Sequence, residues 1–271
     1  MHPMVNIAVR AARAAGNIIT RNMDRIDRLT ISSKRSNDFV TEVDRTAERA
    51  IIDELRQAYP DHGFLAEESG AEVKGGDYQW IIDPLDGTTN FLHGFPQFSV
   101  SIAMRHKKRL EIGVIYDPVT QELFTAARGE GAFMNEKRLR VSGRKGLSGA
   151  LLSTGFPYTD QTYIDLYIET MKALMKKTAG IRRPGSAALD LAWIAAGRCD
   201  GFWEFNLNAW DIAAGALLVR EAGGIVTDFA GGDNYLTTGD IIAASPKVLP
   251  EMLRIINEKV KGSEYLKQNS Y

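Results

Sequence analysis

The chain has 271 residues, 44% hydrophobic and 25% charged, a composition that supports a globular core in one large unit or two fused lobes. Its 33 Lys and Arg against 34 Asp and Glu leave a formal net charge of −1, so no global field draws it to nucleic acid or an anionic membrane. The single cysteine, Cys199, excludes an intramolecular disulfide. With no uninterrupted apolar leader and no apolar run of about eighteen residues, the sequence reads as that of a soluble, cytoplasmic protein.

The opening MHPMVNIAVRAARAAGNIITRN places Met4, Ile7, Ala8, Ala11, Ala15, Ile18 and Ile19 at three- and four-residue spacing. That spacing predicts an amphipathic helix with Arg10, Arg13 and Arg21 turned outward. A polar, turn-rich stretch follows. A second helix is expected from about Thr41 to Ala58, opened by the capping pattern Thr41-Glu42-Val43-Asp44 and ended by Tyr59-Pro60. From about Phe64 to Asn135 strands dominate: FSVSIAM (98–104), EIGVIYD (111–117) and ELFTAA (122–127), joined by short turns, predict an antiparallel meander. RHKKR at 105–109 is expected to be a solvated hairpin turn.

After Leu147, strands near 149–153, 200–205, 225–228 and 241–244 alternate with helices near 161–178, 186–196, 209–222 and 247–260. The expected organisation is an N-terminal α+β lobe (1–147), a C-terminal αβ lobe (148–262) packed closely against it, and a flexible tail (263–271).

The segment with most chemical content is WIIDPLDGTTNF (80–91). Ile81 and Ile82 predict the end of a buried strand, from which Asp83 emerges towards solvent. Pro84 stiffens the turn and Gly87 permits a left-handed backbone. Asp83, Asp86, the Leu85 carbonyl and the Thr88 hydroxyl would then face one spot. Two carboxylates in a small site repel unless a proton or cation lies between them. Oxygen donors without nearby His or Cys select a hard ion, Mg2+ by default. At this point a turn whose aspartates cap a following helix fits equally well.

Other acids sit at similar places. Glu67 and Glu68 close the run FLAEESG, Asp211 begins the helix of NAWDIAAGALLVREAGG, and Asp38 and Asp44 flank the start of the second helix. No GxxxxGK[ST] loop or GxGxxG occurs, and the four histidines show no zinc spacing.

WIIDPLDGTTNF and WDIAAGALLVREAGG together, with EES and DFVTEVD upstream, resemble the two-part signature of the inositol monophosphatase family over about residues 1–260. The resemblance implies an α+β fold built as a layered α-β-α-β-α sandwich, usually dimeric. It implies hydrolysis of phosphate monoesters, preferentially myo-inositol monophosphate, with two or three Mg2+ ions and sensitivity to lithium. Glu67, Asp83 and the Leu85 carbonyl would hold one ion, and Asp83, Asp86 and Asp211 a second. Thr88, polarised through Glu67 and Asp44, would orient the attacking water.

By the same resemblance the amides of Gly87 and Thr88 would take phosphate oxygens, while Gly185, Ser186, Ala187, Glu204 and Asp211 would contact substrate. Lys34 and Asp38 match a loop that closes over the site. Relatives on this scaffold act on fructose bisphosphate, a nucleotide 3′-phosphate or histidinol phosphate. MHPMVNIAVRAARAAGN, SNDFVT and RRPGSAALDLAWIAAGR are similar to a bacterial branch that also serves transcription antitermination. That likeness implies NusA or RNA polymerase as a partner, with catalysis dispensable for that role. Arg182 and Arg183 are expected at an interface.

Overall fold

The computed structural model describes residues 2–28, 31–35, 38–74, 76–156, 158, 161–261, 263 and 265; side chains between 27 and 40 lie outside that description. In chain order the helices are α1 (Pro3–Asn22), α2 (Glu42–Ala58), α3 (Thr88–Leu92), α4 (Ile164–Met175), α5 (Ala187–Ala195), α6 (Ala209–Glu221), α7 (Tyr235–Thr238) and α8 (Leu249–Val260). A hairpin is formed by β1 (Ile31–Arg35) and β2 (Asp38–Thr41). The large sheet comprises β3 (Gly63–Ala66), β4 (Gly70–Glu72), β5 (Tyr78–Asp86), β6 (Ser99–His106), β7 (Arg109–Asp117), β8 (Glu122–Ala127), β9 (Gly131–Met134) and β10 (Lys137–Arg138). Its order is β10-β9-β8-β7-β6-β5-β3-β4. The second sheet contains β11 (Leu151–Thr154), β12 (Gly180–Arg182), β13 (Gly201–Glu204), β14 (Ile225–Thr227) and β15 (Ile241–Ala244), in the order β12-β11-β13-β15-β14.

The side chains explain the layering. Strand residues alternate between faces. Trp80, Ile82, Val100, Ile102, Met104, Ile112 and Val114 pack under α1 and α2, against Ala8, Ala12, Ile51 and Leu55. Ile81, Ala103, Ile115 and Phe124 point the other way, into α5 and α6. Those two helices are buried nearly all round because the second sheet covers them from behind, through Phe202 and Ala243. The outer face of that sheet, with Leu152, Trp203 and Ile242, is closed by α4 and α8 through Tyr167, Leu174, Met252 and Ile256. The result is an α-β-α-β-α sandwich, as the family resemblance implied. The α5–α6 layer is common to both sheets.

The expected meander is present as antiparallel β6, β7, β8 and β9; of the basic stretch at 105–109, Lys107 and Lys108 form the exposed hairpin turn, while Arg105 and His106 end β6 and Arg109 begins β7. Thr41 and Asp44 close the capping box expected for α2. Two local expectations are corrected. The stretch expected only to turn forms the β1–β2 hairpin. The strand expected to end at Ile82 continues to Asp86, with its pairing to β6 irregular between Asp83 and Asp86. Pro84, lacking an N–H, sits where the ladder is interrupted. Of the tail expected to fray, Tyr265 is buried and bonds to Asp240, while 262, 264 and 266–271 lie outside the described residues.

Candidate active site

Strand pairing brings the acids together. β3 runs parallel to β5 with Ala66 opposite Ile82, so Glu67 leaves β3 beside Asp83, and its amide donates to the Ile82 carbonyl at 3.1 Å. On the other edge of β5, Asp83 pairs with Ser101 of β6. The Ser101 hydroxyl donates to the Trp210 carbonyl at 3.2 Å, which anchors the first turn of α6 and therefore Asp211. Asp211 accepts a hydrogen bond from the Asn208 amide at 2.6 Å, holding it at the helix start.

Asp83 is 2% exposed, so the expected solvent-facing carboxylate is instead buried. Burial holds it well above the usual carboxylate range, and the charges of Glu67, Asp86 and Asp211 push the same way. Asp211 is raised well above its ordinary value by burial, then by Asp86 and Glu67. Asp86 is pushed up to about 6 by burial, against hydrogen bonds from Ser186 and the amides of Ala188 and Ala187 and against the charge of Arg183. The first two bonds measure 2.6 and 2.7 Å. Ser186 is also the N-cap of α5, so Asp86 is fastened to the start of that helix.

Carboxylates that raise one another in this way form a site short of positive charge. Among the described residues no three of His, Cys, Asp or Glu are gathered closely enough to hold a metal ion as they stand. The oxygen-only donor set and the shared excess of negative charge fit a hard divalent cation such as Mg2+.

The turn at Gly87 is locally enforced. Its φ is +100°, and a Cβ there would lie 2.9 Å from the Gln97 carbonyl oxygen and 3.2 Å from that of Gly185. The bend delivers Thr88, whose hydroxyl lies 3.0 Å from an Asp44 oxygen and 3.1 Å from the Leu85 carbonyl. Asp44 is fully buried; burial raises its carboxyl while hydrogen bonds from Thr41 and Thr88 oppose the shift.

Glu204 ends β13 and is pushed up to about 8, first by burial and then by Asp211, with Arg183 opposing. Ser186 and Ala187 are buried behind Asp86, and Gly185 adjoins Asn90 and Arg183. Arg182 is exposed at the end of β12. The Arg183 guanidinium lies 4.8 Å from the Tyr158 ring centre and 5.5 Å from that of Phe156, yet its charge still reaches Asp86 and Glu204. The side chains of Lys34 and Asp38 lie outside the described part.

Sequence reasoning missed two supporting residues. A Cβ on Gly155 would fall 2.0 Å from a Glu204 oxygen, so only glycine leaves that carboxylate its place. Glu48 is 3% exposed and accepts hydrogen bonds from the turn after Glu67. Its place four residues after Asp44 on one helix was the available signal.

The family model described as the inositol monophosphatase family matches residues 1–261. A relative from Pseudomonas aeruginosa named Nus factor SuhB is 55% identical over 268 residues, covering 97% of this chain and 99% of its own. Among solved structures, the extragenic suppressor protein suhB of Bartonella henselae superposes with a TM-score of 0.92 at 45% identity, covering 97% of this chain and 100% of that one. A Thermotoga maritima IMPase gives 0.87 at 38% identity, covering 96% and 99%.

Proposed function

The chain belongs to the inositol monophosphatase family, and we propose that it is an Mg2+-dependent phosphomonoesterase preferring myo-inositol monophosphate. The observation that carries this reading is the set of acids Glu67, Asp83, Asp86 and Asp211, drawn from three elements and linked by mutual repulsion. Glu67, Asp83 and the Leu85 carbonyl would hold one ion; Asp83, Asp86 and Asp211 would hold another. When bound, Mg2+ supplies Lewis acidity that lowers the pKa of a water and neutralises a leaving alkoxide.

The chain's own groups do the positioning. Thr88, donating to Asp44, keeps its oxygen lone pairs free to accept a hydrogen bond from the attacking water and so orient it. Thr41 holds the far Asp44 oxygen through its amide, at 2.8 Å, and its hydroxyl, at 2.5 Å. Asp86 cannot swing away, because Ser186 and the Ala188 amide grip it. The amides of Gly87 and Thr88 would receive phosphate oxygens. Glu204 would accept hydrogen bonds from sugar-alcohol hydroxyls, with Asp211 and the Gly185–Ala187 segment beside it. Phosphate release from a panel of myo-inositol 1-phosphate, fructose bisphosphate, a nucleotide 3′-phosphate and histidinol phosphate tests the preference. Inositol phosphate should give the highest kcat/KM.

The name and 55% identity of the Nus factor relative favour a second role, in transcription antitermination through NusA or RNA polymerase. A homodimer with Arg182 and Arg183 at or near its interface accompanies this reading. The paired experiment measures hydrolysis and NusA or RNA polymerase binding in wild type and Asp86→Asn. Loss of hydrolysis with binding retained supports two separable roles; loss of both in a folded variant places them on one site.

A further inference from the structure

We propose that Glu48 is a positioning residue of the hydrolytic site, clamping the turn that carries Glu67 to the helix that also carries Asp44. Its two carboxylate oxygens accept hydrogen bonds from successive backbone amides, Glu68 at 2.8 Å and Ser69 at 2.9 Å. A carboxylate left 3% exposed needs such partners, because an unsatisfied buried charge is strongly destabilising. Charge-assisted bonds to two adjacent amides fix the turn's orientation as well as its place.

Three consecutive amides around the acid are therefore tied down. Glu67 N–H is held by the Ile82 carbonyl of β5, and the next two by Glu48 of α2. One turn earlier on the same helix, Asp44 accepts from Thr88, which begins α3 directly after the Asp83–Asp86 segment. Asp44 and Glu48 thus connect α2 to the turn that carries Glu67 and to the helix start that follows Asp83 and Asp86. If Glu48 let go, the Glu67 turn would be free to rotate while Asp83 and Asp86 stayed fixed, and the donor set would no longer close on one ion. Glu48 has this role only if Glu67 is a metal ligand, the reading proposed above.

Glu48→Gln tests it. The amide keeps one acceptor oxygen but turns an NH2 towards the second backbone N–H, which it cannot satisfy. The readouts are the Mg2+ concentration for half-maximal hydrolysis of p-nitrophenyl phosphate, kcat at saturating Mg2+, thermal unfolding, and hydrogen exchange at the Glu68 and Ser69 amides. Glu67→Gln is the reference and Asp53→Asn, exposed on the same helix, the control. The expected result is a rise of about 10- to 100-fold in the half-saturating Mg2+ for Glu48→Gln, most of kcat recovered at saturation, faster exchange at both amides, and no change for Asp53→Asn.

A lower melting temperature with unchanged Mg2+ dependence would make Glu48 a structural clamp only and overturn the proposal. If Glu67→Gln also left the Mg2+ dependence unchanged, the ligand reading itself would be at fault. Should Glu48→Gln not fold, the wild type still decides: Mg2+ should slow exchange at these two amides, since ion binding opposes opening of the turn. Exchange indifferent to Mg2+ overturns the coupling.

Discussion

The Thr88 hydroxyl and the Asp44 carboxylate meet at 3.0 Å although 44 residues separate them in the chain. Asp44 is locked by Thr41, so Thr88 has a fixed acceptor and one defined direction for its remaining lone pairs. Thr88→Val preserves shape and removes the hydroxyl. It should lower kcat by about a hundredfold, the scale of a positioned proton-transfer group, with KM nearly unchanged. Steady-state kinetics at saturating Mg2+ check this, and a variant with near-wild-type kcat would remove Thr88 from the mechanism.

Asp86→Asn keeps an oxygen for the Ser186 and Ala188 donors but deletes a charge from the acid cluster. Hydrolysis should fall by at least about a hundredfold while the fold is retained, because metal positioning accounts for much of the barrier reduction. Circular dichroism beside a turnover assay separates this from misfolding. Near-wild-type turnover would return the DPLDG turn to a purely structural role.

Gly155 and Glu204 make a third test. A methyl at Gly155 cannot share space with the Glu204 carboxylate, whose side chain would have to move. Gly155→Ala should therefore fold and raise KM for myo-inositol 1-phosphate, by about tenfold if one hydrogen bond is lost. kcat should change less. An unaltered KM would show that Glu204 does not hold the substrate.

Much of this molecule was legible in its sequence. The helices α1 and α2 announced themselves by apolar spacing and, for α2, by a capping box that forms as expected. The meander followed from closely spaced strands joined by short turns. The acids stood out because they ended apolar runs. What local pattern could not supply was depth. Asp83 was expected at the solvent edge, yet β5 runs on past Pro84 and buries it, since α6 and β6 close over that strand end. Nor could it show that Gly155 yields space to Glu204, or that Glu48 reaches a turn twenty residues onward. Those relationships exist only once separate elements are packed.

Asp240 supports a prediction about pH and stability. Burial pushes its carboxyl up to about 6, against hydrogen bonds from Tyr265 and the Asn206 amide. In the unfolded chain an aspartate titrates near pH 4. Between those values the folded protein holds a proton that the unfolded chain has released. This contribution is therefore complete below about pH 4 and lost as pH rises through about 6. The difference of roughly two pKa units corresponds to about 3 kcal/mol. Asp240→Asn does not titrate, so the fall in melting temperature from about pH 5 to about pH 7.5 should be smaller in the variant. An equal fall in both proteins would contradict the assignment.

The central claim is that Glu67, Asp83, Asp86 and Asp211 form a cation-dependent site for phosphate-ester hydrolysis. The most direct measurement is inorganic phosphate release from myo-inositol 1-phosphate by the purified chain, first after exhaustive chelation and then on stepwise return of Mg2+, with lithium added at the end. The account predicts negligible release in the chelated protein, a saturable recovery with Mg2+, and inhibition by lithium. Undiminished release after chelation, or none at any Mg2+ concentration from a folded protein, would contradict it.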